Sequence, residues 1–401
     1  MTSEWHEVPL RELVGYISKG IAPSYAEEAS ETTIRVLNQK CNRNFRISYG
    51  DSRLHDTLKK KVPPERYVKP DDILINSTGA GTAGRIAQIE DVPSTTTIDG
   101  HMILIRSNGK VTQKFLGYAL KAHQWEVLQL DEGSTGQTEL NRDRLLDEIM
   151  INYPVSLDEQ NAIVGTLESI DRKLIVNEQL NDNLEQQAQS YFQELFVDNA
   201  DPEWTTGTIS DLGAVVGGST PSKAKPEYYT ESGIAWITPK DLSINKSKFA
   251  SHGENDITEL GLKNSSAAIM PEGTVLFSSR APIGYIAIAT GEVTTNQGFK
   301  SVVPKPEIGT PFVYFFLKNT LPVIEGMASG STFKEVSGST MKKVPAVIPD
   351  AETLAKFSNF CAPIFAQQRI LEEQNQSLAI LRDNLLPKLM SGEIDVSDVQ
   401  L

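Results

Sequence analysis

The chain has 401 residues, 39% of them apolar and 22% charged, with a formal net charge of −14. That length holds two or three domains with cores of their own. No basic and apolar leader opens it, no apolar run approaches the roughly 18 residues of a membrane span, and Cys41 and Cys361 are too few for a disulfide framework or a zinc site. A cytoplasmic protein with no membrane attachment is the expectation. The five histidines show no metal-ligand spacing, so no metal residue is assigned. The acidity is uneven. Residues 156–201 carry 2 Lys and Arg against 10 Asp and Glu, and 350–401 carry 4 against 8, whereas 1–155 and 202–349 are near neutral.

In chain order, the first feature is a basic stretch at 35–69, with ten Lys and Arg against Asp51, Asp56 and Glu65. Phe45, Tyr49 and Tyr67 are interleaved, and Asn38, Gln39, Asn42 and Asn44 cluster there. Arg and Lys suit phosphates and guanine edges, and Asn and Gln suit adenine edges; a solvated surface loop is the plain alternative. Next, DDILINS predicts a strand, followed by STGAGTAGRI with glycines at 79, 81 and 84. That GxGxxG spacing fits a dinucleotide-binding turn only where a helix follows. RIAQIEDVP is short, alternating and stopped by Pro93, which predicts a second strand. The glycines are therefore expected to supply positive φ in a strand-turn-strand. A helix is predicted over 113–130, with Phe115, Leu116, Tyr118, Ala119 and Leu120 in the core.

A long helix is predicted from Ser156, which N-caps it, with Glu159 completing a capping box. A 4-3 spacing runs Ile163, Leu167, Ile170, Leu174, Asn177, Asn181, Leu184, Ala188, Tyr191, Leu195, the pattern of a coiled-coil seam.

From Trp204 the chain repeats itself. Trp5 aligns with Trp204, Leu13 with Leu212, and Pro23-Ser24 with Pro221-Ser222. PDDILINSTGAGTAGRIA faces PEGTVLFSSRAPIGYIA, and DEGSTGQTELNRDRLLDEIMINYP faces MASGSTFKEVSGSTMKKVPAVIP. Three such pairs in one order are a duplication. The second hairpin shortens to SSRAPIG and keeps only Gly284, opposite Gly84; a phosphate cradle would not survive that change. The second copy's polar set is sparser: Lys223, Lys225, Thr238, Lys240, Asn245, Lys246, Lys248, Arg280, Asn296, Gln297 and Lys334. A helix is predicted over 311–328 with Phe312, Tyr314, Phe315 and Leu317 in the core. Asp350 N-caps a second long helix, with a seam through Phe357, Cys361, Ile364, Gln368, Leu371, Asn375, Leu378, Arg382, Leu385 and Leu389.

The expected fold is α+β. Two tandem mostly-β domains, 1–155 and 200–349, are each followed by a long helix, 156–199 and 350–391, with a tail at 392–401. The helices are expected to pair antiparallel, through Leu167, Ile170, Leu174, Asn181 and Leu184 on one and Ile364, Leu371, Asn375, Leu378 and Leu385 on the other. Asn181 and Asn375 are equivalent polar seam positions, of the kind that fix register. Two amphipathic helices packed on separate cores are the alternative. A helix of about 37 residues at ~1.5 Å per residue spans about 55 Å, the length of a strut.

No P-loop, HExxH, GxSxG or CxxC pattern and no Asn/Asp-Pro-Pro-aromatic run is present, so no catalytic residue is assigned. LRELVGYISKGIAPS and LGAVVGGSTPSK near the domain starts, TVLFSSRAPIGYIAIA, TTNQGFKSVVP, and LLPKLMSGEI at 385–394, in the order domain, helix, domain, helix, resemble the DNA-specificity subunit of type I restriction-modification enzymes. The resemblance covers nearly the whole chain. It implies a non-catalytic subunit in which each domain reads one half of a split site on double-stranded DNA. The helices would set the spacing and dock two methyltransferase (modification) subunits. Those partners would hold S-adenosylmethionine and flip the target adenine, this chain binding no cofactor itself. An ATP-dependent restriction and translocase subunit would join for restriction.

The candidate DNA contacts are Lys19, Asn38, Gln39, Lys40, Arg43, Arg46, Thr78, Arg85, Ser134 and Thr135 in the first domain. In the second they are Thr220, Lys240, Arg280, Asn296, Gln297, Ser331, Thr332 and Lys334. Arg280 matches the family's hairpin arginine, whereas Thr78 stands at the aligned position of the first copy, with Arg85 nearby. A function of another class, a coiled-coil scaffold presenting two protein- or glycan-binding β domains, fits the acidic net charge.

Overall fold

The apolar strand DDILINS lies between two cores, and that placement organises the first copy. In the computed structural model, which describes residues 4–79, 81–132, 139–330 and 334–396, the strands Val14–Lys19, Met102–Ser107, Ile73–Asn76 and Ile86–Gln88 pair in that order, antiparallel throughout. Ile73, Ile75, Ile103 and Ile105 pack with Phe115, Leu116 and Leu120 of the helix Gln113–Ala122. Leu74, Met102 and Leu104 pack instead with Leu37, Cys41, Val68 and Ile98. Side chains alternate along a strand, so a strand buried at every position feeds apolar residues into a core on each face. Each such residue, fully buried, contributes about 1.5–3 kcal/mol relative to exposure.

The glycine run forms the expected turn between two antiparallel strands. Gly79, Gly81 and Gly84 hold φ of +112, +69 and +83°. At Gly84 a Cβ would also stand 2.9 Å from the Val127 carbonyl oxygen, so that position needs glycine twice over. A strand follows the run, where a dinucleotide fold requires a helix.

The second copy repeats this plan with one more strand. Gly213–Gly217, Lys300–Pro304, Val275–Ser279 and Ile283–Ala289 pair antiparallel, and Phe249–Ala250 adds in parallel. Val275, Phe277, Ile288 and Val302 pack with Phe312, Val313, Phe315 and Leu317 of the helix Thr310–Gly326. Leu276, Ala287 and Phe299 join Ile237, Leu242 and Met270 on the opposite face. Each copy is closed by an antiparallel pair of its first and last strands: Trp5–Pro9 with Met150–Pro154, and Thr205–Thr208 with Pro345–Ile348.

The long helices run Leu157–Gln193, ending in a π turn Glu194–Asp198, and Ala351–Met390. Ser156 caps the first through Glu159 N (3.3 Å), and Asp350 caps the second through Thr353 N (2.8 Å). The Glu159 carboxylate accepts from Trp5 Nε1 (3.2 Å), as Asp350 accepts from Trp204 Nε1 (3.0 Å). Glu159 is thus drawn to the first strand of its own copy, a tertiary partner that the capping-box pattern does not contain.

The chain divides into two compact units, residues 1–174 with 378–401, and residues 175–377. Each takes in one globular copy and a stretch of both long helices. In the first unit Ile163, Val164 and Leu167 pack in one core with Leu386, Leu389 and Met390, Leu385 lies against it, and Ile170 and Leu174 are buried. In the second, Ala188 and Phe192 pack with Leu354, Phe357, Cys361 and Ile364, and Leu184 lies against them. Both sequence readings of the seam are therefore true at once, since the helices pair with each other and also fill the globular cores.

The pairing is antiparallel. Asp171 meets Arg382 (3.1 Å) in the first unit. In the second, Asn177 Nδ2 donates to Asn375 Oδ1 (2.9 Å), Asn181 Nδ2 to Glu372 Oε1 (3.3 Å) and Gln368 Nε2 to the Asn181 carbonyl (3.2 Å). The side chain that meets Asn375 is thus Asn177; the equivalence of Asn181 and Asn375 in the repeat does not bring them together, because rising numbers on one helix oppose falling numbers on the other. Among the described residues no helix is long and apolar enough to cross a membrane.

A half-buried acid fastens each globular copy to a helix. Asp171 accepts from Tyr118 Oη (2.8 Å) and pairs with Lys121 (3.2 Å) as well as Arg382. Glu185 accepts from Tyr314 Oη (3.1 Å) and pairs with Lys318 (2.5 Å) and Lys248 (2.7 Å). Burial pushes the Glu185 carboxyl up, but Lys248 and Lys318 outweigh it and hold it at about 2. Burial likewise lowers the Lys248 ammonium to about 8 against the pull of Glu185. Lys248, expected in an outer polar set, is only 7% exposed. It serves this internal anchor instead, because no other cation is set as deeply against Glu185.

Candidate nucleic-acid interface

In the second unit the loops at one end of the sheet converge. Ser279 N donates to the Gly298 carbonyl (2.7 Å) and Asn296 N to the Ile237 carbonyl (3.0 Å). Asn296 Oδ1 accepts from Gly298 N (2.8 Å), closing the turn that carries Gln297. Gly218 packs so closely that a Cβ would lie 2.0 Å from the Asn296 carbonyl oxygen. Thr238 caps the short helix Pro239–Ile244, on which Lys240 pairs with exposed Glu254 (2.6 Å). Thr220 Oγ1 donates to Gln297 Oε1. Arg280, just past the sheet, bridges Glu335 in an antiparallel step. The Glu335 carboxylate lies 3.5 Å from Arg280 Nη1 and 3.9 Å from Lys300 Nζ. Arg280, Thr220, Gln297, Asn296 and Lys240 are thereby gathered at one end, and Lys334, beside Glu335, is exposed.

The first unit builds the same frame from different residues. Ser77 N donates to the His101 carbonyl (2.8 Å), Asp99 N to the Leu37 carbonyl (2.9 Å), and His101 N to Asp99 Oδ1 (2.9 Å). Gly20 is pressed to where a Cβ would stand 2.2 Å from the Asp99 and Ile98 carbonyl oxygens. Asn38 caps the short helix Gln39–Cys41, and Thr78 bridges Glu139. The hydrogen bonds thus place Thr78 where Arg280 stands, Asp99 where Asn296 stands, His101 where Gly298 stands and Lys40 where Lys240 stands. Burial pushes the Asp99 carboxyl up, against the His101 N–H that favours its ionised form.

Several expected DNA-contacting side chains are engaged within the protein. Asn38 accepts from Lys40 N (2.8 Å) and donates to the Asp51 carbonyl (2.7 Å), so it shapes the loop. Arg85 Nη2 donates to the Gly81 carbonyl (3.1 Å), and Lys19 pairs with Glu139. Thr78 Oγ1 bonds His101 Nδ1 (2.8 Å). In the basic stretch, Arg35, Lys60 and Arg66 donate to backbone carbonyls at Tyr49, Ala22 and Gly20. Lys40 and Arg43 are exposed. Gln39 Oε1 is buried with no partner in the protein. Ser134, Thr135, Ser331 and Thr332 lie outside the described residues.

Arg43 and Arg46 stand directly opposite each other on a two-residue hairpin whose turn, Asn44-Phe45, holds φ of +53 and +61°. Like charges directly opposite are destabilising, and positive φ at an aromatic residue is strained. Glu139, Glu335, Lys300, Asp99 and His101 are members of the face that the sequence reading missed. Aligning QTEL with FKEV between the copies would have found both glutamates. Among the described residues no cluster of three or more His, Cys, Asp or Glu is placed to hold a metal ion.

A duplicated sheet domain, with polar loops gathered at one end of each sheet and long antiparallel helices in both units, defines a tandem-repeat recognition protein. The family model for the type I restriction modification DNA specificity domain matches residues 2–186 and again 202–381, and the chain belongs to that family. Among its relatives is the MjaIX type I restriction enzyme specificity subunit of Methanocaldococcus jannaschii, 41% identical over 169 residues, 42% of this chain and 39% of that protein. The HindI type I restriction enzyme specificity subunit of Haemophilus influenzae is 28% identical over 194 residues, 48% of this chain and 42% of that protein. The chain thus spans about two fifths of the length of these relatives. The crystal structure of a type I restriction-modification S subunit from M. genitalium shares the fold, with a TM-score of 0.59 at 17% identity over 97% of this chain and 99% of that one.

Proposed function

We propose that this chain is a non-catalytic DNA sequence-specificity subunit of a type I restriction-modification complex, each globular copy reading one part of a two-part target. The carrying observation is the shared frame. The same backbone bonds gather loops at the end of each sheet, while the side chains on those loops differ between copies. One construction with two decorations suits two different half-sites. Arg280 is suited to a guanine edge or a phosphate, Gln297 to an adenine edge, and Lys240, Lys40, Arg43 and Arg46 to phosphates.

In this reading the helices serve protein partners. Their acidic composition repels a polyanion and suits methyltransferase subunits. Those subunits would bring S-adenosylmethionine and the flipped adenine, and an ATP-dependent translocase would join for cleavage.

The test is an electrophoretic shift of duplex DNA by the chain assembled with its methyltransferase partners, across salt concentrations. Arg280→Ala, and Lys40→Ala with Arg43→Ala and Arg46→Ala, are each expected to weaken binding. The triple change should flatten the salt dependence by about 0.9 for each phosphate no longer neutralised. Affinity indifferent to both changes would end the proposal in favour of a protein- or glycan-binding scaffold.

A further inference from the structure

The two faces agree at one chemically unexpected position. Glu335 lies opposite Arg280 on an antiparallel bridge, and Glu139 lies opposite Thr78 on the corresponding one. Between the copies Thr78 is exchanged for Arg280, Asp99 for Asn296 and His101 for Gly298, yet each face keeps a glutamate here. Each glutamate takes the nearest cation. Glu139 pairs with Lys19, and Glu335 lies 3.5 Å from Arg280 and 3.9 Å from Lys300. The backbone fixes Glu335, since Glu335 N donates to the Ser329 carbonyl (2.9 Å) and Ser329 N donates back (3.1 Å). The carboxylate and its guanidinium are both half-exposed, at 39% and 36%, so a ligand can part them.

We propose that Glu139 and Glu335 are positioning residues that hold the forward cations of each face in closed pairs and thereby penalise binding to unselected DNA. This rests on the reading of both faces as DNA-binding. A cation facing solvent attracts any duplex by releasing condensed counterions. A cation already paired gains less from phosphate alone, and its carboxylate repels the backbone. Only a sequence whose base edges satisfy the freed Arg280 and its neighbours compensates for opening the pair. Specificity is a difference of affinities, and a repulsive element against wrong partners is one way to enlarge it.

The experiment measures affinity of the full chain, assembled with its partner subunits, for random-sequence duplex DNA and for a sequence enriched by selection, as a function of salt. Glu335→Gln is expected to tighten binding to random DNA roughly fivefold to tenfold and to steepen the salt slope by about 0.9, the equivalent of one more neutralised phosphate. Preference for the enriched sequence falls by a similar factor. Glu139→Gln acts in the same direction with a smaller effect, having one cation to free. Glu335→Asp, which keeps the charge, retains the wild-type slope. A residue that merely supports the loop would weaken binding to every sequence with no change in slope. That outcome, or random-DNA affinity unchanged in both Gln variants, overturns the proposal. Failure of the wild-type assembly to bind any duplex would instead reject the DNA reading itself, and this inference with it.

Discussion

The two anchors make the sharpest comparison within this molecule. In the first unit the fastening acid, Asp171, sits on the helix that follows its own globular copy, and it gathers Tyr118, Lys121 and Arg382. In the second unit the acid, Glu185, sits on the helix that follows the other copy, and it gathers Tyr314, Lys318 and Lys248. A tyrosine and a lysine from the helix beneath the sheet recur in both, and both acids sit on the one helix Leu157–Gln193, which follows the first copy but contributes to both cores. Antiparallel pairing brings both helices past each core, so one helix supplies the acid to both. The constraint is therefore on the chemistry at the join and not on the residue's place in the repeat.

The anchors should differ in strength. Glu185→Ala removes the charge partner of Lys248, whose side chain is 6% exposed and whose ammonium keeps a neutral acceptor, Gln368 Oε1 (2.8 Å), among the described residues. Breaking a buried pair from one side costs about 3–5 kcal/mol, to be read from chemical denaturation. Asp171→Ala should cost less, about 1.5–3 kcal/mol, the scale of hydrogen bonds to a charged group, because Lys121 at 11% and Arg382 at 18% are more exposed than Lys248, and Arg382 keeps Asp383 as a partner (2.7 Å). Equal losses would show that depth does not set the strength of these joins.

Acid should expose the Glu185 join as well. Its folded carboxyl sits at about 2 and its ordinary value is 4.5. A depressed carboxyl contributes stability that is fully present above its unfolded pKa and is lost as pH falls through the folded one. The unfolding free energy should therefore decline as pH drops from 4.5 toward 2, and Glu185→Gln should remove that share of the decline. An unaltered pH profile in Glu185→Gln would contradict the assignment.

The glycine turn offers a comparison on a smaller scale. Gly84→Ala adds a steric clash with the Val127 carbonyl to an unfavourable φ and should cost about 1–3 kcal/mol. Gly81→Ala meets nothing within 4 Å and should cost about 1 kcal/mol, from φ alone. Smallest of all, replacing Asn177 and Asn375 together by Leu should gain roughly 1 kcal/mol in thermal denaturation while loosening the helix register, since a polar seam residue fixes register at the expense of stability. Asn177 Oδ1 is already buried without a partner.

Periodicity and repetition made the architecture legible. The apolar run in DDILINS, the alternation in RIAQIEDVP, the 4-3 seam and the second Trp-led copy made the sheet, the helices and the duplication readable, because each is a local pattern with one spatial meaning. The face was legible only in part. Arg280, Gln297 and Lys240 could be found from residue type and from the alignment of copies. Asn38 could not be told from a DNA contact, because a cap and an adenine reader call for the same amide. Lys248 misled for a similar reason, since a lysine in a polar run carries no sign that Glu185, far off in sequence, will bury it. Glu139 and Glu335 were passed over because acidic residues do not suggest a polyanion face until their cations are seen beside them.

The most direct test of the central claim, one frame with two readers, is selection of bound sequences from a random duplex library by the assembled complex, with the wild-type chain and with Arg280→Ala. The account predicts a two-part motif in the wild type, and relaxation confined to one part in the variant, costing about 1–3 kcal/mol at the bases affected. A single contiguous motif, or equal relaxation of both parts, would contradict it.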